Sequence, residues 1–375
     1  MTLLSICIPV MAPDPDLAAS LRQMLARERG DVEILVGDFT GGAVAELLQS
    51  EPGLGDTRLR LVPPADGHEA LPDLAACANR MIPEARGAWV CLIEAHDYAD
   101  PEICAVIEAA TKRVPDADAL SWGRARHVPP ALRQGRDIAI IPTGSRLLAP
   151  EQADAMRSQF YWEGASDRPD CPFGAWHGAV RRDLLERTRA AFSDVWFEQA
   201  AADIDSACKT VTLARRLVFW ERPLSVQGAA PAPAATTESG SPFADFPFKA
   251  SAGPAAAAAL AIEAFKRRYG IELSGWEDNF IQACVKDCET AATGEQFHAK
   301  KTAYADSILA WRGKRALASF RPEFRRKPKI PRFQGVRDGR LHFDMAMDHT
   351  RTAAEFYRLI DAMLFPVDLL DDKLA

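Results

Sequence analysis

The chain has 375 residues, of which 48% are apolar and 26% charged, with 45 Lys and Arg against 52 Asp and Glu and a net charge of −7. This length predicts two domains, or one large domain with an extension, and the composition excludes a collagen, a coiled-coil rod and a wholly disordered chain. The acidic balance speaks against general nucleic-acid binding, which needs positive surface against phosphate, so no nucleic-acid partner is expected.

No segment reaches the ~20 continuous apolar residues that span a bilayer; the longest candidate, Ala255–Ile262, is short and mostly Ala. Residues 1–10 are apolar, but no Lys or Arg precedes them and no small-residue cleavage site follows, so a signal peptide is not expected and the predicted location is the cytoplasm. The 8 Cys include no Cys-x-x-Cys pair, which predicts reduced, buried thiols rather than a disulfide framework or a zinc site.

In chain order, Leu3–Val10 reads as a buried strand stopped by Pro9 and Pro13, and Asp16–Arg29 has helical spacing through Leu17, Leu21, Met24 and Leu25. Val32–Val36 is a second buried strand, ending in Gly37-Asp38-Phe39-Thr40-Gly41-Gly42, and Val44–Gln49 restarts a helix. Leu59–Val62 is a third strand, Leu71–Ile82 a helix and Ala88–Ile93 a fourth strand, which runs into Glu94-Ala95-His96-Asp97-Tyr98-Ala99-Asp100-Pro101 before a helix over Glu102–Lys112. Strand and helix alternating at this spacing predict a mostly parallel sheet with helices on both faces. Such sheets bind ligands at the carboxyl ends of their strands, which singles out Asp38, Thr40, Glu94, His96 and Asp97.

Gly228–Pro254 is rich in Ala, Pro, Ser, Thr and Gly and reads as a linker or long loop, although Phe243, Phe246 and Phe248 predict that part of it docks. Pro254–Tyr269, Trp276–Thr290 and Glu295–Trp311 read as helices, Leu341–Asp344 as a short strand and Thr350–Leu364 as a last helix. Arg312–Arg332 carries nine Lys or Arg against one Glu, a run that suits either a solvated face or contact with an anionic acceptor or the inner face of a membrane.

Glu94 and His96, two apart on an extended segment, project to one side and could share a divalent ion; a carboxylate with an imidazole suits Mn2+ or a similar ion that bridges a diphosphate. Read alone, the segment is more simply an Asp-rich turn before Pro101. No P-loop, Ser-His-Asp spacing, zinc spacing or dinucleotide fingerprint is visible, and the Gly37–Gly42 turn lacks the GxGxxG spacing of a nicotinamide enzyme.

The segments Ser5–Val10, Val32–Gly42 and Cys77–Pro101 together resemble the amino-terminal half of family 2 glycosyltransferases with the GT-A fold. The carrying features are the acidic end of the second strand, Asn79-Arg80 before Ala85-Arg86-Gly87, and Ile93-Glu94-Ala95-His96-Asp97 with Pro101 where the family has its Asp-x-Asp metal motif. Glu94 replaces the first Asp and His96 the second. The variant is similar to the Asp-x-His that polypeptide N-acetylgalactosaminyltransferases use with Mn2+. The resemblance continues to about residue 228 through Pro172–Leu185, Ala201-Ala202-Asp203-Ile204-Asp205 and Arg222-Pro223-Leu224-Ser225-Val226.

That resemblance implies an α/β, GT-A-like nucleotide-diphospho-sugar transferase domain over 1–228, an Ala/Pro-rich linker or loop over 229–252 and a mainly helical C-terminal region over 253–375. It implies an inverting glycosyltransferase of hexosyl or N-acetylhexosaminyl type, moving a sugar from a UDP-linked donor to a hydroxyl of a glycan or lipid-linked acceptor, as in polysaccharide biosynthesis. Pro9, Asp38, Asp66 and Asn79 would hold the nucleotide. Glu94, His96 and Asp97 would bind Mn2+ or Mg2+. Asp203 stands in register with the family's base, with Ala202 in place of the preceding Glu; a helix N-cap is the structural alternative. Trp176, His177 and Asp205 fall on the acceptor side, with His177 a further metal-ligand candidate and His342 and His349 weaker ones in the tail. The C-terminal region would complete the site, make a homodimer or bind a partner. The competing reading is a catalytically degenerate member that binds glycan or protein. A nucleotidyltransferase is disfavoured because Met11–Asp16 is neither Gly-rich nor basic.

Overall fold

The computed structural model describes residues 2–63, 73–133, 137–198, 201–229, 241–325 and 333–367. The chain divides into two compact units: Met1–Glu151 with Pro172–Ala230 and Ile330–Ala375, and Gln152–Cys171 with Pro231–Lys329.

The first unit begins with β1 (Leu4–Val10), α1 (Leu17–Leu25), β2 (Val32–Asp38), α2 (Ala43–Ser50), β3 (Leu59–Val62), α3 (Leu74–Met81) and β4 (Trp89–Leu92). Every residue of β1, β2 and β4 is buried, as expected of strands covered on both faces. β1 pairs in parallel with β2 and β4, and β2 with β3. The Ala85-Arg86-Gly87 turn has a steric cause: a Cβ on Gly87 would lie 2.5 Å from the Ser5 amide of β1. The same corner buries Glu33, which accepts from Ser5 Oγ at 2.6 Å, Arg60 Nη1 at 2.8 Å and the Arg86 amide. Burial raises that carboxyl, and these donors outweigh it and hold it below its usual range.

Beyond β4 the chain forms β5 (Tyr98–Ala99), α4 (Ile103–Arg113), β6 (Ala119–His127), β7 (Ile138–Pro142) and β8 (Leu147–Leu148). After α5 (Gln152–Phe160) of the second unit come β9 (Gly178–Arg181), α6 (Arg182–Ala191), α7 (Ala202–Leu213) and β10 (Leu217–Gly228). The main sheet runs β3-β2-β1-β4-β9-β6-β10-β5, with β8 also on β10. β9 is antiparallel to both β4 and β6, which leaves β4, β6 and β10 pointing the same way. The carboxyl ends of β1, β2, β4, β6 and β10 therefore share one edge.

The second unit contains α5, α8 (Pro254–Arg268), α9 (Glu277–Glu289) and α10 (Gly294–Leu317), the last broken at Gly313, whose φ is 75°. Of the three docking aromatics expected in the linker, Phe246 and Phe248 are buried against Phe280 and Trp311, and Phe243 is half-buried under Arg267; residues 230–240 of that linker lie outside the described residues. Asp287 of α9 ties the unit together, accepting from Ala255 N at 3.0 Å, Lys300 Nζ at 2.5 Å and Tyr304 Oη.

The segmentation differs from the expected 1–228, 229–252 and 253–375. The hairpin β11 (Gly335–Arg337) and β12 (Arg340–Asp344) joins the first unit through antiparallel pairing of β12 with β7. α11 (Ala353–Asp361), started by a Thr352/Glu355 capping box, packs there too. Its Asp361 pairs with Arg27 at 2.8 Å and with buried Arg222, and the Tyr357 ring packs tilted against Tyr98 with centroids 4.9 Å apart. Residues 152–171, expected in the first domain, belong to the second unit. Of the basic run, Arg312, Lys314, Arg315, Arg321 and Arg325 are exposed, and 326–332 lie outside the described residues. The eight cysteines are free and buried. Among the described residues no helix is long and apolar enough to cross a membrane.

Candidate active site

At the carboxyl end of β4 the chain turns sharply at Glu94–Asp97. The Asp97 amide donates to the Glu94 carbonyl at 3.0 Å, and the Glu94 amide donates back to Asp97 Oδ2 at 2.8 Å. Asp97 Oδ1 accepts from the Gly228 amide, at the end of β10, at 2.8 Å. Oδ2 also meets His177 Nε2 at 2.9 Å, and His96 Nε2 stands 3.8 Å from Oδ1. Asp97 is 2% exposed. Burial raises its carboxyl, and His177, His96 and the Glu94 N–H outweigh burial and bring it below the usual range. Asp97 therefore acts as the turn's internal anchor, with both oxygens engaged.

Glu94 and His96, the other two expected ligands of this turn, are both half-buried. Burial pushes the Glu94 carboxyl up, and the negative charges of Asp97 and Asp203 push the same way against His96 and His177. Asp203 is thus within electrostatic reach of Glu94, although the two are far apart in sequence. Asp203 sits half-buried in the first turn of α7 rather than at its N-cap, which is Ala201.

The loop before β9 runs alongside. The Leu92 amide donates to the Ala175 carbonyl at 2.7 Å, and the His177 amide to the Leu92 carbonyl at 3.0 Å. The Ala175 amide donates to Ser206 Oγ of α7 at 2.9 Å. Trp176 is 7% exposed and packs edge-on against Phe197 at 4.7 Å, a wall residue with little ring face left for stacking on a sugar. His177 has both ring nitrogens engaged, Nε2 with Asp97 and Nδ1 with Ser225 Oγ at 2.9 Å, and so is placed as a structural bridge rather than a metal ligand or acceptor contact.

Asn79, expected at the nucleotide, holds the 197 backbone instead: its Nδ2 donates to the Phe197 carbonyl at 2.7 Å and its Oδ1 accepts the Phe197 amide at 3.0 Å. Asp205 is buried, accepting from the Glu198 amide at 2.8 Å and Lys209 Nζ at 2.9 Å, and so supports this loop from beneath. Burial raises its carboxyl against the pull of Lys209. Asp38 accepts from Thr40 N at 3.0 Å, Thr40 Oγ1 at 2.6 Å, Gly42 N at 3.4 Å and Ala45 N at 3.1 Å, which makes it chiefly the cap of its own turn and of α2. Burial raises its carboxyl, but these donors prevail and lower it. Pro9 lies at the same sheet edge, opposite Gly37. Asp66 lies outside the described residues. His342 sits on β12 against Phe333, and His349 follows it in the tail.

The sequence reading missed Ser225, Gly228, Lys209 and Glu198. Only the Asp205/Lys209 spacing of four within a helix carried a readable signal. Among the described residues no group of three or more His, Cys, Asp or Glu is disposed to hold a metal ion. A separate cleft of about 480 Å3, whose walls include Thr143, Gly144, Arg146, Glu221 and Arg340, contains none of these residues, and its Arg146 is already paired with Glu221 at 2.6 Å.

No protein-family model and no curated protein sequence matches the chain. Solved structures do. Residues 1–349 of S. aureus TarS, in complex with UDP-GlcNAc, match with a TM-score of 0.51 at 12% identity over 85% of this chain and 84% of that one. A longer TarS structure matches with a TM-score of 0.45 at 13% identity, and this chain spans 50% of it. The mannosyltransferase PcManGT from Pyrobaculum calidifontis, in complex with GDP-Man and Mn2+, matches with a TM-score of 0.39 at 15% identity over 84% of this chain and 73% of that one. At such identities the first likeness shows the fold alone, and with the strand order above it bears out the GT-A-like α/β fold that the sequence predicts.

Proposed function

We propose that the chain is a metal-assisted, inverting glycosyltransferase that moves a sugar from a UDP-linked donor to a hydroxyl of a glycan or glycolipid. The observation that carries this reading is the placement of half-buried Glu94, just past the carboxyl end of β4, within electrostatic reach of half-buried Asp203 in the first turn of α7. Asp203 takes the proton of the acceptor hydroxyl as its oxygen attacks the anomeric carbon. The bond from that carbon to the diphosphate breaks, and the nucleoside diphosphate leaves.

Glu94 and His96 fit a divalent ion by the chemistry of their donor set: a carboxylate whose charge is opposed by burial and by Asp97, next to an imidazole with some solvent access. Bound there, Mn2+ or Mg2+ would neutralise the charge of the departing diphosphate. The UDP-GlcNAc complex of a protein with the same fold makes UDP-GlcNAc the first donor to test.

The test is release of UDP from UDP-sugars, with and without acceptor. Asp203→Ala is expected to lower transfer by about 100-fold or more, the scale of general-base catalysis, and to leave donor binding intact. Transfer at the normal rate by Asp203→Ala would remove the assignment. A chain that hydrolyses and transfers no nucleotide sugar at all would instead be a glycan- or protein-binding member of the fold, the reading favoured by the lack of a three-ligand cluster among the described residues.

A further inference from the structure

Behind the Glu94–Asp97 turn runs a buried chain of hydrogen bonds across the sheet edge. Trp122 Nε1 donates to Ser225 Oγ at 2.7 Å, Ser225 Oγ meets His177 Nδ1 at 2.9 Å, and His177 Nε2 meets Asp97 Oδ2 at 2.9 Å. The indole can only donate, so the Ser225 oxygen accepts from it and has its own hydrogen to give to Nδ1. Nε2 then carries the hydrogen that Asp97 receives. With the Asp97 carboxylate able only to accept, each donor in this line finds an acceptor.

The order Ser-His-Asp is that of a hydrolase triad, but Ser225 is 2% exposed and its hydroxyl already receives the Trp122 N–H. It is no nucleophile. The line ends on the carboxylate that fixes the backbone of Glu94 and of Gly228. His177 keeps this role in a costly backbone conformation, with φ of 50° in the left-handed region.

We infer that His177 is a positioning residue: through Asp97 it sets the turn that presents Glu94 and His96 to metal and diphosphate. This rests on the proposed function for its ligand, but the geometry of the turn can be read without one. A packing role and a hydrogen-bonding role predict opposite rankings of two substitutions. His177→Gln places an amide N–H near the Nε2 position and keeps the bond to Asp97. His177→Asn places its amide near Nδ1, reaching Ser225 but not Asp97. Asn is the better residue for a left-handed backbone, so a merely structural role makes Asn the milder change.

The experiment uses the full chain and two readouts. Hydrogen exchange of the Glu94 and Gly228 amides reports the turn itself; calorimetric titration with UDP in the presence of Mn2+ reports its use. The expected result is near-normal protection and UDP affinity within about 3-fold of the original chain for His177→Gln, against at least about 10-fold loss of both for His177→Asn, whatever their thermal stabilities. Unchanged protection of both amides in His177→Asn, or equal losses in the two variants, overturns the inference. If the unaltered chain binds no UDP with Mn2+ while protection still falls in Asn and not in Gln, the positioning role stands and the transferase reading fails.

Discussion

Lys209→Met is the substitution whose cost follows most directly from the geometry. The Lys209 ammonium is 1% exposed and lies 3.2 Å from Glu198 Oε2 and 2.9 Å from Asp205 Oδ2, carboxylates that are themselves 3% and 0% exposed. It also donates to the Trp196 carbonyl at 3.0 Å. Methionine fills the volume of the aliphatic stem, so the main loss is the charge. Removing one member of a buried ion pair costs about 3–5 kcal/mol, because the surviving charge stays buried without compensation. For a domain of this size each kcal/mol lowers Tm by about 2–4 °C, so the expected fall is roughly 6–20 °C at pH 8.

The same variant has a pH signature. Burial already raises the Asp205 carboxyl while Lys209 lowers it, so removing Lys209 raises it further. A carboxyl whose folded pKa lies above its unfolded value contributes stability below the unfolded pKa and loses it as pH rises through the folded one. The variant should therefore regain part of its deficit between pH 8 and pH 5. Thermal unfolding followed by tryptophan fluorescence at both pH values measures this. A fall below about 3 °C at pH 8, the scale of ~1 kcal/mol, or a deficit that does not change with pH, would contradict a buried Lys209 held by Asp205 and Glu198.

A Cβ on Gly228 would overlap the His96 carbonyl, and the Gly228 amide is also bonded to Asp97. Gly228→Ala should thus displace the turn, costing about 1–3 kcal/mol by overpacking and weakening metal-dependent UDP binding; a variant with unchanged Tm and affinity would contradict the packing described. Burial holds the His127 imidazole down at about 4, with Arg133 acting in the same direction. The unfolded chain then binds the extra proton first, so stability should fall as pH drops from about 6.5 towards 4. His127→Gln should make that fall shallower in urea titrations across the range, and an unchanged slope would remove His127 from the account.

The first four strands and their helices were legible because each buried strand is a short apolar run and each helix has its own period. β3 appears at Leu59–Val62 as read from the sequence. The second half was less legible because its order depends on long-range pairing. Nothing local tells β12 to join β7, or residues 335–361 to return to the first unit after the helices of the second. Phe246 and Phe248 were the exception, since aromatics inside a Pro- and Ala-rich stretch need a place to bury.

Site residues divided along a physical line. Sequence finds the polar groups at strand ends but not the direction in which they face. Asp38 and Asp97 turn back onto their own backbones, and Asn79 holds the Phe197 main chain. For Asp38 the Asp-x-Thr-Gly-Gly string carried the signal of a self-capping turn. His177 and Ser225 meet across the sheet edge, and no spacing in the chain announces that pair.

The most direct test of the central claim is a calorimetric titration of the full chain with UDP, GDP and CDP, in Mn2+, in Mg2+ and in EDTA, repeated on His96→Ala. UDP binding is expected to need the divalent ion and to be lost in EDTA and in His96→Ala. Absence of binding for every nucleotide, or UDP binding that is equally strong in EDTA and in His96→Ala, would contradict that claim.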